Sequence, residues 1–278
     1  MVNVIALGLT AIISVMVPLI ILGIVIWKNP MERVGVLCSF FAGTGIYLLM
    51  EWGVKEQGLK ILFNETSLPD FMNRHYIPYL LLVAIAGAIL AFLPELLVVC
   101  LLFKRQMSFA KAVMFGMGYA MAEAVILVGY RSIYTIVELL QKPETDINTT
   151  TTELFLSGYE RILMMVIHIA IIIAFVYFIE QKMVLLGSII IMICLTLAAF
   201  LPGFLIAFSL KNYYEVYDRS VALLLIYILL TVAAFCGGIV INSLKYSLKD
   251  ERIDSKQAIA AYRKKVEEKK KLEIYRKK

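Results

Sequence analysis

Five ionisable side chains stand inside very apolar stretches of this sequence: Glu95, Glu123, the neighbours Glu160 and Arg161, and His168. A charge at the middle of a membrane-spanning helix costs about 2.5–3.5 kcal/mol even on the lenient insertion scale, and residues kept there mark relays, pathways or ligand sites. Their types suit hydrolytic chemistry. A carboxylate and an imidazole at one depth can jointly hold and deprotonate a water. A guanidinium can grip a carboxylate bidentately and keep it ionised out of water. Zinc chemistry is poorly provided for: His168 has no second histidine at metal-ligand spacing and no HExxH occurs. The expectation is a site without metal or other cofactor.

The elements that hold these residues are spanning helices. The chain has 278 residues, 61% hydrophobic and 17% charged, with a mean hydropathy of +0.85. Soluble domains are nearer half apolar and a quarter charged. Seven apolar segments are long enough to cross about 30 Å of hydrocarbon at 1.5 Å per residue. They lie near 4–27, 34–50, 76–103, 109–129, 156–178, 183–208 and 220–243. The reading is one all-α polytopic bundle over 1–243 with a basic tail over 244–278. Pro94 is expected to kink or tilt the third span, where Glu95 could cap a broken helix, and Pro202-Gly203 to break the sixth. The N-terminus lacks a positive n-region and a small-residue cleavage site, so it reads as a first span. Cys38, Cys100, Cys194 and Cys236 all fall in apolar runs without CxxC spacing and read as small core residues.

Positive charge orients such a bundle. Lys28 and Arg33, then Lys104, Arg105 and Lys111, then Lys182, and finally the Lys/Arg-dense tail all fall on one side. This gives N-out/C-in, in an integral protein of a prokaryotic plasma membrane. The connections 51–75 and 130–155 become outer loops, with Asn148 to Thr152 as a polar tip. In the tail, Ile259, Tyr262 and Val266 recur at helical spacing, and Glu267 and Lys271 can pair at i, i+4. The tail reads as a solvated cytoplasmic helix that obeys the positive-inside rule; the sharper alternative is a helix that anionic lipid headgroups attract. No aromatic–basic module for nucleic acid occurs, and no internal repeat of the duplicated-transporter kind.

Depth along each span sorts the polar residues. On this topology Glu95 lies roughly 12 Å above the inner boundary, Tyr119 about 15 Å and Glu123 about 21 Å above it, and His168 roughly 18 Å below the outer one. Tyr119 and Glu123, four apart, share a helix face, with Gly116 a turn below; Arg161 and His168, seven apart, share another. Two layers are expected: a lower one of Glu95, Tyr119 and His168, and an upper one of Glu123, Arg161 and Glu160. Glu160-Arg161 also allows a simpler reading as an ion pair at the outer boundary, and His168 as a satisfied core histidine.

The stretch from Phe92 to Phe178 resembles the YhfC family of membrane peptidases, grouped with the glutamic intramembrane proteases that process CAAX proteins and bacteriocins. Phe115-Gly116-Met117-Gly118-Tyr119-Ala120-Met121-Ala122-Glu123-Ala124 is similar, in frame, to that family's G-x-G-H-G-G-x-E-A. Glu160-Arg161, with His168 seven residues after the arginine, resembles its E-R…H. Leu93-Pro94-Glu95 stands where the family has two glutamates and a nearby arginine. The resemblance implies an intramembrane peptidase acting on a peptide or membrane-protein substrate. Glu95 would be general base, His168 would hold the water or the oxyanion, and Glu123, Glu160 and Arg161 would form the supporting layer, with Gly116, Gly118 and Tyr119 completing the motif. The family's first glutamate is Pro94 here, its arginine is Val98 and its glycine-rich histidine is Tyr119. Tyrosine, with a pKa near 10, is a poor base. A catalytically inactive relative that binds a membrane partner or peptide is therefore the alternative, and a transporter subunit the third.

Overall fold

The structure is a computed structural model that describes residues 2–101, 107–142, 151–211, 219–245 and 248. Ten α-helices run through them: α1 (Val2–Lys28), α2 (Arg33–Tyr47), α3 (Glu56–Glu65), α4 (Leu68–Arg74), α5 (Tyr76–Leu101), α6 (Phe109–Ala124), α7 (Tyr130–Gln141), α8 (Thr151–Glu180), α9 (Val184–Lys211) and α10 (Arg219–Leu244). Two π-helical stretches, Leu48–Lys55 and Val125–Gly129, join α2 to α3 and α6 to α7 without a break. No strand occurs among the described residues. A helix satisfies its own backbone, which is why near-continuous apolar sequence can cross a bilayer only in this form or as a closed barrel. Among the described residues, seven helical runs are long and apolar enough to do so: Val4–Lys28, Arg33–Asn64, Tyr76–Cys100, Phe109–Gln141, Thr151–Glu180, Val184–Leu205 and Leu223–Leu244. The protein is thus an all-helical integral membrane protein in its architecture.

Several expectations change. The connections 51–75 and 130–155 are largely helical: the second and fourth spans run on through their π turns into α3 and α7, and α4 fills most of the rest. Thr151 and Thr152 open α8 rather than cap a loop; 148–150 lie outside the described residues. Pro202 does not break α9, and α5 continues through Pro94, so Glu95 sits mid-helix and caps nothing. Cys38, Cys194 and Cys236 are exposed on the outside of the bundle and Cys100 is half-buried, so they are not core residues; all four are free. Of the tail, Leu248 is buried against the core, whereas Ile259, Tyr262, Val266 and the Glu267–Lys271 pair lie outside the described residues.

The core gathers around α6. Met114 through Ala120 are buried without interruption, because α2 and α8 cover opposite sides of this helix. Small residues allow the close approach. A Cβ on Gly118 would sit 2.0 Å from the Phe40 carbonyl oxygen of α2, and one on Gly43 would sit 2.1 Å from the Phe115 carbonyl oxygen of α6. The two glycines let the backbones touch, as small residues do at interfaces between membrane helices. The Thr44 hydroxyl donates across the same seam to the Gly118 carbonyl at 3.1 Å. On the other side of α6, Gly116 faces the Ile169 backbone and the His168 carbonyl of α8. Along α8, Gly158 meets Thr10 of α1, and the Thr10 hydroxyl donates to the Leu154 carbonyl at 3.0 Å.

Candidate functional site

Three helices bring the chemistry-bearing residues together: α5 carries Glu95, α6 carries Tyr119 and Glu123, and α8 carries Glu160, Arg161 and His168. Glu123 is the hub. Its Oε1 accepts from Arg161 Nη1 at 3.1 Å, and its Oε2 pairs with His168 Nε2 at 2.7 Å. The other terminal nitrogen of Arg161 donates to Glu160, so one guanidinium joins two carboxylates. The Arg161 side chain is 6% exposed and that of Glu123 13%. That burial excludes a solvated ion pair at the membrane boundary: Arg161 points into the bundle. Only Glu160, at 32%, reaches the edge of the network.

The expected two layers are therefore one connected chain, Glu160–Arg161–Glu123–His168. Cα heights alone separated Glu123 from His168. In an α-helix, however, each Cα–Cβ bond tilts toward the helix N-terminus. Helices α6 and α8 run antiparallel, so Glu123 leans down its helix while His168 leans up its own, and the side chains meet. Gly116 lets the two backbones lie close enough for this.

Tyr119 belongs where expected, beside His168, with ring centroids 4.8 Å apart and planes 44° apart. Its other side meets Tyr47 of α2 edge-on at 5.2 Å. Tyr119 is thus walled in, 3% exposed, between two rings. Glu95 is 4% exposed, close enough for its charge to act on His168. The imidazole is thus bonded at Nε2 by one carboxylate and lies within electrostatic range of a second on α5. The Arg161 Nε is buried without a hydrogen-bond partner. Among the described residues, no three His, Cys, Asp or Glu side chains are grouped to hold a metal ion.

Sequence reasoning missed three contributors. Tyr47 ends α2 exactly where the chain passes into its π stretch, and nothing local marks it as a wall of the site. Tyr227 of α10 lies within electrostatic range of Glu160, and one turn on, Thr231 is hydrogen-bonded to Tyr159 at 3.1 Å. Their spacing of four on an otherwise apolar helix was a readable signal. A second polar contact sits at the opposite end of α6: the Ser108 hydroxyl donates to Glu32 Oε2 at 2.5 Å, both residues being buried. Comparisons with protein-family models, curated proteins and solved structures give no match.

Proposed function

We propose that this chain is an intramembrane peptidase of the glutamic type, a relative of the YhfC family, that cleaves a peptide or membrane-protein segment in or near the bilayer. One observation carries the reading: a buried Glu123–His168 pair, fixed from behind by Arg161, with a second buried carboxylate, Glu95 of α5, within electrostatic range of the imidazole. Membrane helices rarely hold such a set without a use for it.

The geometry divides the roles. Both oxygens of Glu123 are engaged, so Glu123 is a positioning residue that fixes the ring and the tautomer of His168. With Nε2–H donating to Glu123, the lone pair of Nδ1 is left to orient a water. Glu95 takes a proton from that water as its oxygen attacks the peptide carbonyl carbon. When the C–N bond breaks, the proton held by Glu95 passes to the leaving nitrogen. The products are a carboxylic acid and an amine.

The alternative is an inactive relative that binds a membrane partner or peptide in the same place. Tyr119 favours it: where the family has a histidine, this chain has a ring packed between Tyr47 and His168. Both readings are tested by incubating the purified protein in liposomes with synthetic single-span peptides and detecting new termini by mass spectrometry. The peptidase produces cleavage that vanishes in Glu95→Gln. Equal cleavage by wild type and Glu95→Gln would sink the assignment of the base. Peptide capture without cleavage, unchanged in Glu95→Gln, selects the binding protein.

A further inference from the structure

The chain Glu160–Arg161–Glu123–His168 is enclosed by seams of unequal strength. Between α2 and α6 the backbones touch through Gly43 and Gly118, and the buried Glu32–Ser108 bond ties the two helix starts. Between α1 and α8, Gly158 packs on Thr10, whose hydroxyl is bonded to the Leu154 carbonyl. The seam of α8 with α10 is slighter. From Leu223 to Leu244 the buried residues of α10 are Ile226, Ala234 and Gly237, a single narrow stripe, whereas α8 buries twelve residues. Within lipid no hydrophobic force holds helices together; close packing and interhelical hydrogen bonds do. A helix seated on one narrow stripe therefore parts from its neighbour at low cost.

That seam is uneven along its length. At Gly237 the two backbones come close: a Cβ there would lie 3.1 Å from the Ala170 Cβ and 3.6 Å from the Val166 carbonyl oxygen. Toward the Thr151 end of α8 the helices are joined instead through a side-chain hydrogen bond. The Thr231 hydroxyl donates within its own helix, to the Tyr227 carbonyl at 2.6 Å. At the 3.1 Å contact of Tyr159 with Thr231, the tyrosine is therefore the donor and the threonine oxygen the acceptor. Both residues are exposed on the outside of the bundle. One turn nearer the start of α10, half-buried Tyr227 stands within electrostatic range of Glu160 and Arg161. α10 thus passes the polar network at Glu160, its most exposed member.

We infer, on the peptidase reading of the Glu123–His168 pair, that α10 is a lateral gate. A polypeptide segment lying in the membrane enters between α8 and α10 where Tyr159 and Thr231 join them, and the Gly237–Ala170 contact is the pivot. Opening strands no buried charge: Arg161 keeps both of its carboxylates, and the Thr231 hydroxyl keeps its bond to the Tyr227 carbonyl. The Tyr159 hydroxyl, released from Thr231, donates to a backbone carbonyl of the arriving segment.

The full-length protein in liposomes, irradiated with a synthetic single-span peptide that carries a photoactivatable leucine at its centre, provides the test. Labelled residues are mapped by mass spectrometry, and wild type is labelled on α8 and α10 beside this seam. In a protein whose four cysteines are replaced by alanine, Tyr159→Cys and Thr231→Cys are joined by a short bis-methanethiosulfonate. The bridged protein loses both the labelling and any cleavage, and dithiothreitol, which removes the bridge, restores them; a misfolded variant would not recover. Thr231→Val and Tyr159→Phe, each lacking the hydrogen bond, are labelled about threefold more strongly, the factor that one average interhelical hydrogen bond in a membrane represents. Glu95→Gln is labelled as wild type is, so the route and the chemistry are read apart. Seam labelling that the bridge abolishes, without cleavage by any form, supports the gate and removes the peptidase reading. Cleavage by the bridged protein at the unbridged rate overturns the gate and leaves the peptidase reading standing. Labelling confined to other helices, or none, overturns the gate as well. If the double cysteine variant does not fold, Thr231→Val decides, and labelling no stronger than wild type overturns the gate.

Discussion

Arg161 is the residue on which the polar network depends. It satisfies two carboxylates at once, and neither its charge nor theirs is well exposed to water. Breaking a buried pair by removing one partner costs about 3–5 kcal/mol, because the remaining charge is left uncompensated. Arg161→Leu is expected to destabilise the protein by that amount in denaturant titrations in detergent. Arg161→Lys is expected to recover only part of the loss, since an ammonium cannot span Glu123 and Glu160 with the planar fork of a guanidinium. Adding Glu123→Gln to Arg161→Leu should cost less than the sum of the single changes, with a coupling of about 0.5–3 kcal/mol. Strict additivity would mean that the Arg161–Glu123 contact contributes nothing. The types and depths of these residues were legible in the sequence; their pairing was not. Which of Glu95, Glu123 and Glu160 meets His168 depends on side-chain lean and on helix separation, and spacing along one helix encodes neither.

Helices α2 and α6 form the frame that holds the site. Their seam is set by two glycines facing backbone oxygens, Gly43 against Phe115 and Gly118 against Phe40. A methyl group at either position meets a carbonyl that cannot rotate away, so the helices must separate. Gly118→Ala is therefore expected to cost at least the 1–3 kcal/mol typical of overpacking, and to loosen the contact of Tyr119 with Tyr47 and His168. Gly45→Ala, two residues from Gly43 but with nothing within 4 Å, is the control. It should be neutral, or stabilising by up to about 1 kcal/mol from helix propensity. If both glycines tolerate alanine equally in thermal unfolding, the close seam is not present. At the far end of α6, Ser108 stands at the N-cap position yet makes no capping bond; its hydroxyl serves Glu32 instead. Ser108→Ala leaves a buried carboxylate short of a donor and is expected to cost about 1–3 kcal/mol. The sequence announced Gly116 and Gly118 as a motif, but not that Gly118 serves α2 while Gly116 serves α8. It also presented 51–75 and 130–155 as loops, because polar residues near a bilayer edge resemble a turn. Helices that run on past the apolar run, as α3 and α7 do, carry the same composition.

The bundle as a whole has two unlike ends. At one, α1 hands over to α2 and α6 begins; the Glu32–Ser108 contact ties these helices together beside Lys28, Arg33 and Lys111, and the tight turn at Lys182, with φ of 60°, lies on the same side of the chain's path. At the other, α3, α4 and α7 extend the second, third and fourth spans. Basic residues near short connections stay in the cytoplasm, so the first end is expected inside and the second outside. The prediction can be read chemically. Cys38, Cys100, Cys194 and Cys236 are replaced by alanine, at little cost because none is fully buried. A single cysteine is then placed in α4 as Asp70→Cys or in the α8–α9 turn as Gln181→Cys, both exposed positions. In intact cells a membrane-impermeant maleimide should label Asp70→Cys and leave Gln181→Cys untouched until the membrane is opened. The reverse pattern would put the basic ends outside and invert the depth of every polar residue. Labelling of both in intact cells would mean that Asp70 and Gln181 share a side, which an odd number of crossings between α4 and α9 forbids.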